Sequence, residues 1–406
     1  VAVALVAALG ARTAAAQVAQ FDTTHSLFHE APTKSNMTVY TPSTDLEVTP
    51  TDALTVRAGW EADVVSGASV AVKAGPTYQN AHPGADIVTS ASVHDLRNSA
   101  RGGFTLRKDI VTFTGGYNYS IEHDYQSNSF NVSARTEPLQ HDTQLEIAYA
   151  HNFDEVCNRV QTPGTPATLA RALEDSTGCF TSNPLRTTDA ISVDSMQGTW
   201  SQAWTPAFMT QLVYSASVTD GFQSDPYRSV VIAEGVKAQE HAPNDRTRQS
   251  VTLRANFYLR PLRAALRLSA RAYDDTWGIM SGTAEIEFEK YIGEAFRLEL
   301  RGRAYDQTGA IFWSDDYTGG NAPLGPKGQY WSGDRELSPF WSLLGGVRGI
   351  YTITPAHGRL LGIMSRLKLG LSFDFQGFDY SQFTLGGTPV GNPYAYFGGL
   401  SVTAIF

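Results

Sequence analysis

From about residue 36 to its C-terminus the chain alternates apolar and polar residues at period two, and no other feature limits its fold so tightly. In VTFTGGYNYSI (111–121), Val111, Phe113, Tyr117, Tyr119 and Ile121 fall on one side, and Thr112, Thr114, Asn118 and Ser120 on the other. SVTLRANFYL (250–259), AALRLSARAY (264–273), FRLELRGRAY (296–305) and SRLKLGLSFDF (365–375) repeat the scheme. Successive side chains of a strand point to opposite faces, whereas a helix groups residues three and four apart. No segment longer than about ten residues favours helix by apolar spacing. The best helical piece, PATLARALED (166–175), sits inside a loop.

The connections alternate in length. Short turns recur at 49–52, 107–109, 205–207, 260–263, 293–295 and 354–358, and longer polar segments lie near 67–98, 155–186, 223–245, 309–339 and 379–392. Short turns at one end and long loops at the other are the plan of a bacterial outer-membrane barrel, with its apolar face toward lipid and its polar face toward the lumen. Only a closed barrel lets strands cross a bilayer without leaving backbone groups unpaired. About fifteen runs read as strands, and termini on one side of the membrane require an even number. QFDTTHSLFHE (20–30) supplies the missing one. The expectation is an all-β, up-and-down antiparallel transmembrane β-barrel of about 16 strands, with 14 as the fallback.

The first residues, VAVALVAALGARTAAAQ, are too short an apolar run to span a bilayer as a helix. They match the apolar part of a secretory signal ending at Ala14-Ala15-Ala16. Residues 1–16 therefore read as a partial signal peptide and 17–406 as one barrel domain, placed in the bacterial outer membrane. Only 17% of residues are charged, and the net charge of −9 leaves no basic face for nucleic acid. The two cysteines, Cys157 and Cys179, are expected to pair in an exported protein. They would close a loop of about 23 residues, worth roughly 3 kcal/mol on a loop-entropy account.

The polar face carries charge in blocks. Arg263, Arg267 and Arg271 fall on one strand, Glu285, Glu287 and Glu289 on the next, and Arg297, Glu299, Arg301 and Arg303 on the one after. Arg366 and Lys368 occupy the polar face of a later strand. Facing side chains on antiparallel neighbours lie about 4.5–5.5 Å apart at Cβ, so an acidic strand between two basic ones forms a ladder of ion pairs. Such a wall either shapes permeation or stiffens the barrel, and its charges cancel locally. Lys290 departs from the pattern on the apolar side, next to a short turn, where a long side chain can reach the interface.

Asp274-Asp275 and Asp315-Asp316 read as solvated loop tips, and Trp60, Trp277, Trp313, Trp331 and Trp341 suit aromatic girdles. The sequence contains no G-x-S-x-G elbow, Walker loop or dinucleotide fingerprint, and no cofactor or metal site is expected. The final strand ends on Phe406. A terminal aromatic there resembles the signal read by the barrel-assembly machinery.

VVSGAS (64–69), IVTSAS (87–92), EHDYQS (122–127) and SGDRELSPF (332–340) occur together with the barrel pattern. In this combination the chain resembles a Gram-negative outer-membrane family of unknown function. The resemblance implies genes near flavin-attaching FMN transferases and a link to a periplasmic flavoprotein or redox partner. It assigns no catalytic residues. The leading expectation is a non-enzymatic, porin-like channel in contact with outer-membrane lipid. The alternative is a non-conducting barrel that docks a periplasmic flavin or electron-transfer partner.

Overall fold

The computed structural model describes residues 18–31, 37–66, 88–89, 94–139, 142–159, 186–225, 228–233, 236–315, 317, 329–385, 388–389 and 391–406. Sixteen long antiparallel strands close into one barrel. They are β1 (Val18–Ala31), β2 (Met37–Thr51), β3 (Leu54–Ser66), β4 (His94–Lys108), β5 (Val111–Ile121), β6 (Tyr125–Thr136), β7 (Thr143–Arg159) and β8 (Arg186–Thr205). The ring continues through β9 (Phe208–Gly221), β10 (Asp245–Leu259), β11 (Ala264–Asp275), β12 (Met280–Ile292), β13 (Phe296–Gln307), β14 (Phe340–Ile353), β15 (Arg366–Asp379) and β16 (Tyr394–Ile405). Each strand pairs with its sequence neighbour. β1 seals the ring against β16, from Gln20 opposite Ile405 to Ala31 opposite Tyr394. The expected fold and strand number hold, and the weakly patterned first segment is a full strand. Closure explains this, because both of its edges find hydrogen-bond partners.

The barrel inverts the burial of a soluble domain. Leu253, Ile286, Leu300, Leu343 and Leu371 are among its exposed side chains, all on the outer face. Such a continuous apolar belt requires an apolar surrounding. The inner face takes the alternate residues, including Glu285, Glu287 and Glu289 of β12. Lys290 lies outward and close to the short turn after β12, as expected.

All six expected short turns lie at one end of the barrel, with a further short connection at 137–142. The start of β1 and the end of β16 share that end. The longer connections lie at the other end, along with the tight turns at 122–124 and 276–279. Arg263 is a correction. It closes the turn between β10 and β11 at φ 48 and stands outside the strand, so it does not join Arg267 and Arg271 on the inner wall. Its period-four spacing suits the strand, but the chain needs a left-handed residue there to reverse.

At the long-loop end the described parts of the connections 222–244, 308–339 and 380–393 interlock into a lid. Backbone bonds join His241 and Trp331 in both directions, at 3.0 and 2.9 Å. The Ser332 hydroxyl donates to Glu240, and Thr384 donates to Asp315 at 2.6 Å. Phe312, fully buried, packs with Ala242, Trp277, Ile279 and Ala310. Of the segment 67–93 only Val88–Thr89 is described, and it pairs antiparallel with Arg228–Ser229 of the first lid connection.

The lid corrects two expectations. Trp60 and Trp341 face outward and are exposed, as girdle residues should be. Trp277 and Trp313 instead belong to the lid core, and Trp331 to its backbone bridge. Asp275 is not a solvated tip: its carboxylate is fully buried and accepts the N–H groups of Trp277 and Ile279, each at 3.0 Å. Cys157 is buried and disulfide-bonded, while Cys179 and the 166–175 segment lie outside the described residues.

Candidate functional site

The inner wall from β11 to β15 carries three groups of ion pairs among the described residues. Register sets Glu287 opposite Arg267 on one side and Arg301 on the other, and Glu285 opposite Arg303. Arg267 pairs with Glu287 and also reaches Glu289 at 3.0 Å. Arg297 approaches Glu289 at 3.5 Å, and Arg303 approaches Glu285 at 3.4 Å. Glu287, Glu289 and Glu299 lie with carboxylate oxygens within 4.8 Å of one another. Arg267 and Arg297 pair with the first two, and Arg348 stands directly opposite Glu299 in the register. Arg271 shares this wall but joins no ion pair among the described residues, while Arg366 and Lys368 face inward on β15, two strands away from Arg297 and Arg303 on β13.

One pair crosses a whole strand. Arg301 of β13 binds Asp374 of β15 through two parallel bonds of 2.6 Å, over the top of β14. The residue between them in the register is Gly346. A Cβ on Gly346 would fall on the Asp374 carboxylate and lie 3.1 Å from Arg301 Cγ. The glycine is therefore a window through which the pair meets.

The same device recurs in a second charged wall on β2–β4. Arg101 of β4 reaches Asp45 of β2 at 2.8 and 2.5 Å, and Gly59 of β3 lies between them. Arg97 holds Asp63 and Glu61, and Arg57 holds Glu47 at 2.6 Å. This cluster was readable from Asp45/Glu47 and Glu61/Asp63, two further acidic pairs at period two. The strand-crossing pairs were not, because adjacency gives partners one strand away and says nothing of two.

The lid is tied to the wall by a buried ion pair. Arg335 stands on a short 3-10 turn, Arg335–Leu337, capped by the Asp334 side chain. It reaches Glu30 of β1 at 2.6 Å and lies 4.9 Å over the Tyr380 ring. Asp334 and Arg335 come from SGDRELSPF, so that motif supplies the lid's half of the anchor. Burial pushes the Tyr317 and Tyr380 phenols above their ordinary range. Two cavities lie beneath the lid, of about 670 and 400 Å³, and share Arg248, Arg271 and Tyr273 as lining.

A family model described as "Protein of unknown function (DUF3570)" matches residues 1–359. The chain belongs to the DUF3570 family. No curated protein matches it. Among solved structures, this DUF3570 chain is similar to a bacterial polysaccharide outer membrane secretin, with a TM-score of 0.50 at 10% identity, covering 96% of this chain and 98% of that one. It also matches OccD3 (OpdP) of Pseudomonas aeruginosa, with a TM-score of 0.44 at 9% identity over 98% and 92% of the two chains. Salmonella typhi OmpF, in complex with daunomycin, gives 0.40 at 10% identity over 96% of each chain. At such identities a likeness speaks for fold alone. The fold of this DUF3570 member is that of outer-membrane β-barrels.

Proposed function

We infer that the protein is a porin-like conduit of the Gram-negative outer membrane, passing small polar solutes through a hydrated, ion-paired lumen without covalent chemistry. One observation carries this reading. Charged side chains that point inward keep much of their exposure: 42% for Arg267, 50% for Glu285 and 50% for Arg301. Side chains that filled a packed barrel core would retain almost none. A barrel of this strand number has room for an aqueous lumen. The short-turn end then faces the periplasm and the lid faces outward. The outer apolar belt meets lipid, and the final strand with Phe406 supplies the assembly signal.

The test is conductance of the purified protein in planar bilayers. Discrete open steps are expected. A barrel that stays silent, yet co-purifies with a periplasmic flavin or electron-transfer protein, would overturn this reading in favour of a docking role.

A further inference from the structure

Five inward arginines climb the seam between β10 and β11. From the lid downward the register orders them as Arg246, Arg248, Arg271 opposite Thr252, Arg254 opposite Ser269, and Arg267 opposite Asn256. The two at the ends are neutralised, Arg246 by Asp275 at 2.5 Å and Arg267 by Glu287 and Glu289. The middle three have no carboxylate at ion-pair distance among the described residues. Arg248 donates to the Thr219 hydroxyl at 3.0 Å and Arg254 to the Gln211 side chain at 2.8 Å, while Arg271 lies 5.7 Å over the Tyr273 ring. Asp275 stands opposite Arg248, but its oxygens are already taken by Arg246, Tyr273 and two backbone N–H groups. Glu285, diagonal to Arg271, pairs with Arg303.

The smaller cavity opens against this seam. Arg248 and Arg271 are its only charged lining groups among the described residues. Its remaining surface is neutral and rich in hydroxyls, with Ser195, Ser215, Ser217 and Ser250. Two guanidinium groups beside a low-dielectric wall gain strongly from a counter-charge, and their planar forks match carboxylates. The cations sit four residues apart along the seam, roughly 14 Å at Cα for about 3.4 Å per residue. Arg271 leans lidward over Tyr273, toward the level of Arg248, while Arg248 leans lidward to Thr219. Both line the same cavity, and a small dicarboxylate would bridge them within it.

We propose that this seam is an anion site for small hydrophilic dicarboxylates, held between Arg248 and Arg271, with Arg254 as the next station toward the short-turn end. Binding needs no open pore, and only the onward step rests on the conduit reading. The serine hydroxyls hydrogen-bond the body of the solute, and no bond is made or broken.

The probes are succinate, its neutral diamide succinamide, acetate and inorganic phosphate. Binding is measured by calorimetry on the whole protein in detergent, and transit by reversal potential and current block in bilayers. Succinate should bind at least tenfold more tightly than acetate or phosphate, and succinamide should not bind. Arg271→Gln and Arg248→Gln should each weaken succinate at least tenfold while keeping the heat-modifiable band shift of a folded barrel. Arg254→Gln should leave binding within threefold and lower the anion preference of the current. Succinate binding in a barrel that never conducts would keep the site and remove the conduit. Open steps without succinate binding, or binding unchanged in Arg271→Gln and Arg248→Gln, would overturn the proposal. Phosphate bound as tightly as succinate would overturn the dicarboxylate assignment.

Discussion

Gly345 and Gly346 are neighbours on β14, yet alanine should act on them with opposite sign. At Gly346 a Cβ would lie 2.8 Å from Asp374 Cγ and force the carboxylate off its two bonds to Arg301. Asp374 keeps only 8% exposure, so losing its partner leaves a largely buried acceptor unsatisfied. That costs about 1–3 kcal/mol, and the half-exposed guanidinium draws the figure toward the lower half. Replacing glycine inside a strand returns about 0.5–1 kcal/mol. The net expectation for Gly346→Ala is destabilisation of roughly 1 kcal/mol. Gly345 points outward with nothing within 4 Å, so Gly345→Ala should stabilise by about 0.5 kcal/mol. The assay is urea unfolding in lipid vesicles, read by the electrophoretic shift between folded and heat-denatured barrel. Repeating Gly346→Ala in an Asp374→Ala background isolates the clash, and there the substitution should cost nothing. Equal effects at the two glycines, or a cost that survives in the Asp374→Ala background, would refute the window argument.

Three further outcomes are expected. Glu30→Gln removes one partner of a buried pair and should cost the lid about 3 kcal/mol, seen as faster cleavage near Arg335 by trypsin while the barrel band shift persists. Glu287→Ala breaks a partly exposed pair and should change stability by only about 0–1 kcal/mol, while leaving Arg267 to Glu289 alone, removing one negative charge from the wall and raising the anion preference of any current, read from reversal potentials. The Tyr317 and Tyr380 phenols are raised by burial, so the folded lid holds their protons more tightly than the open lid does. Their stabilising effect is complete below the ordinary tyrosine value of about 10 and decays as pH rises above it. Tyrosinate absorbance should therefore show a late-titrating fraction that shrinks in Tyr317→Phe and Tyr380→Phe.

The barrel could be read from sequence because its two faces meet different solvents. Leu, Ile and Phe at alternate positions, with Arg and Glu between them, leave a strand one orientation, and the turn lengths divide the two ends. Glu285 and Glu287 were legible as a rail because direct register joins them to Arg303, and to Arg267 and Arg301, whereas Glu289 faces Ala265 and Glu299 and reaches Arg267 and Arg297 on the diagonal. Arg263 was misplaced because periodicity cannot tell the last strand residue from the first turn residue, which φ decides. Arg246, Arg248 and Arg254 escaped notice for a different reason. Their importance lies in which carboxylates are absent or already engaged nearby, and that depends on Asp275 folding back into its own turn. The lid core of Trp277 and Phe312 was hidden because loop segments far apart in sequence carry no shared period.

The anchor between Arg335 and Glu30 has a consequence for the order of biogenesis. Its partners are 305 residues apart in sequence, and Glu30 sits on β1, the strand whose pairing with β16 completes the ring. A chain in which β1 and β16 have not yet met has no seat for Arg335. The lid can therefore lock only after circularisation, which makes trypsin resistance at Arg335 a chemical timestamp for the last step of assembly.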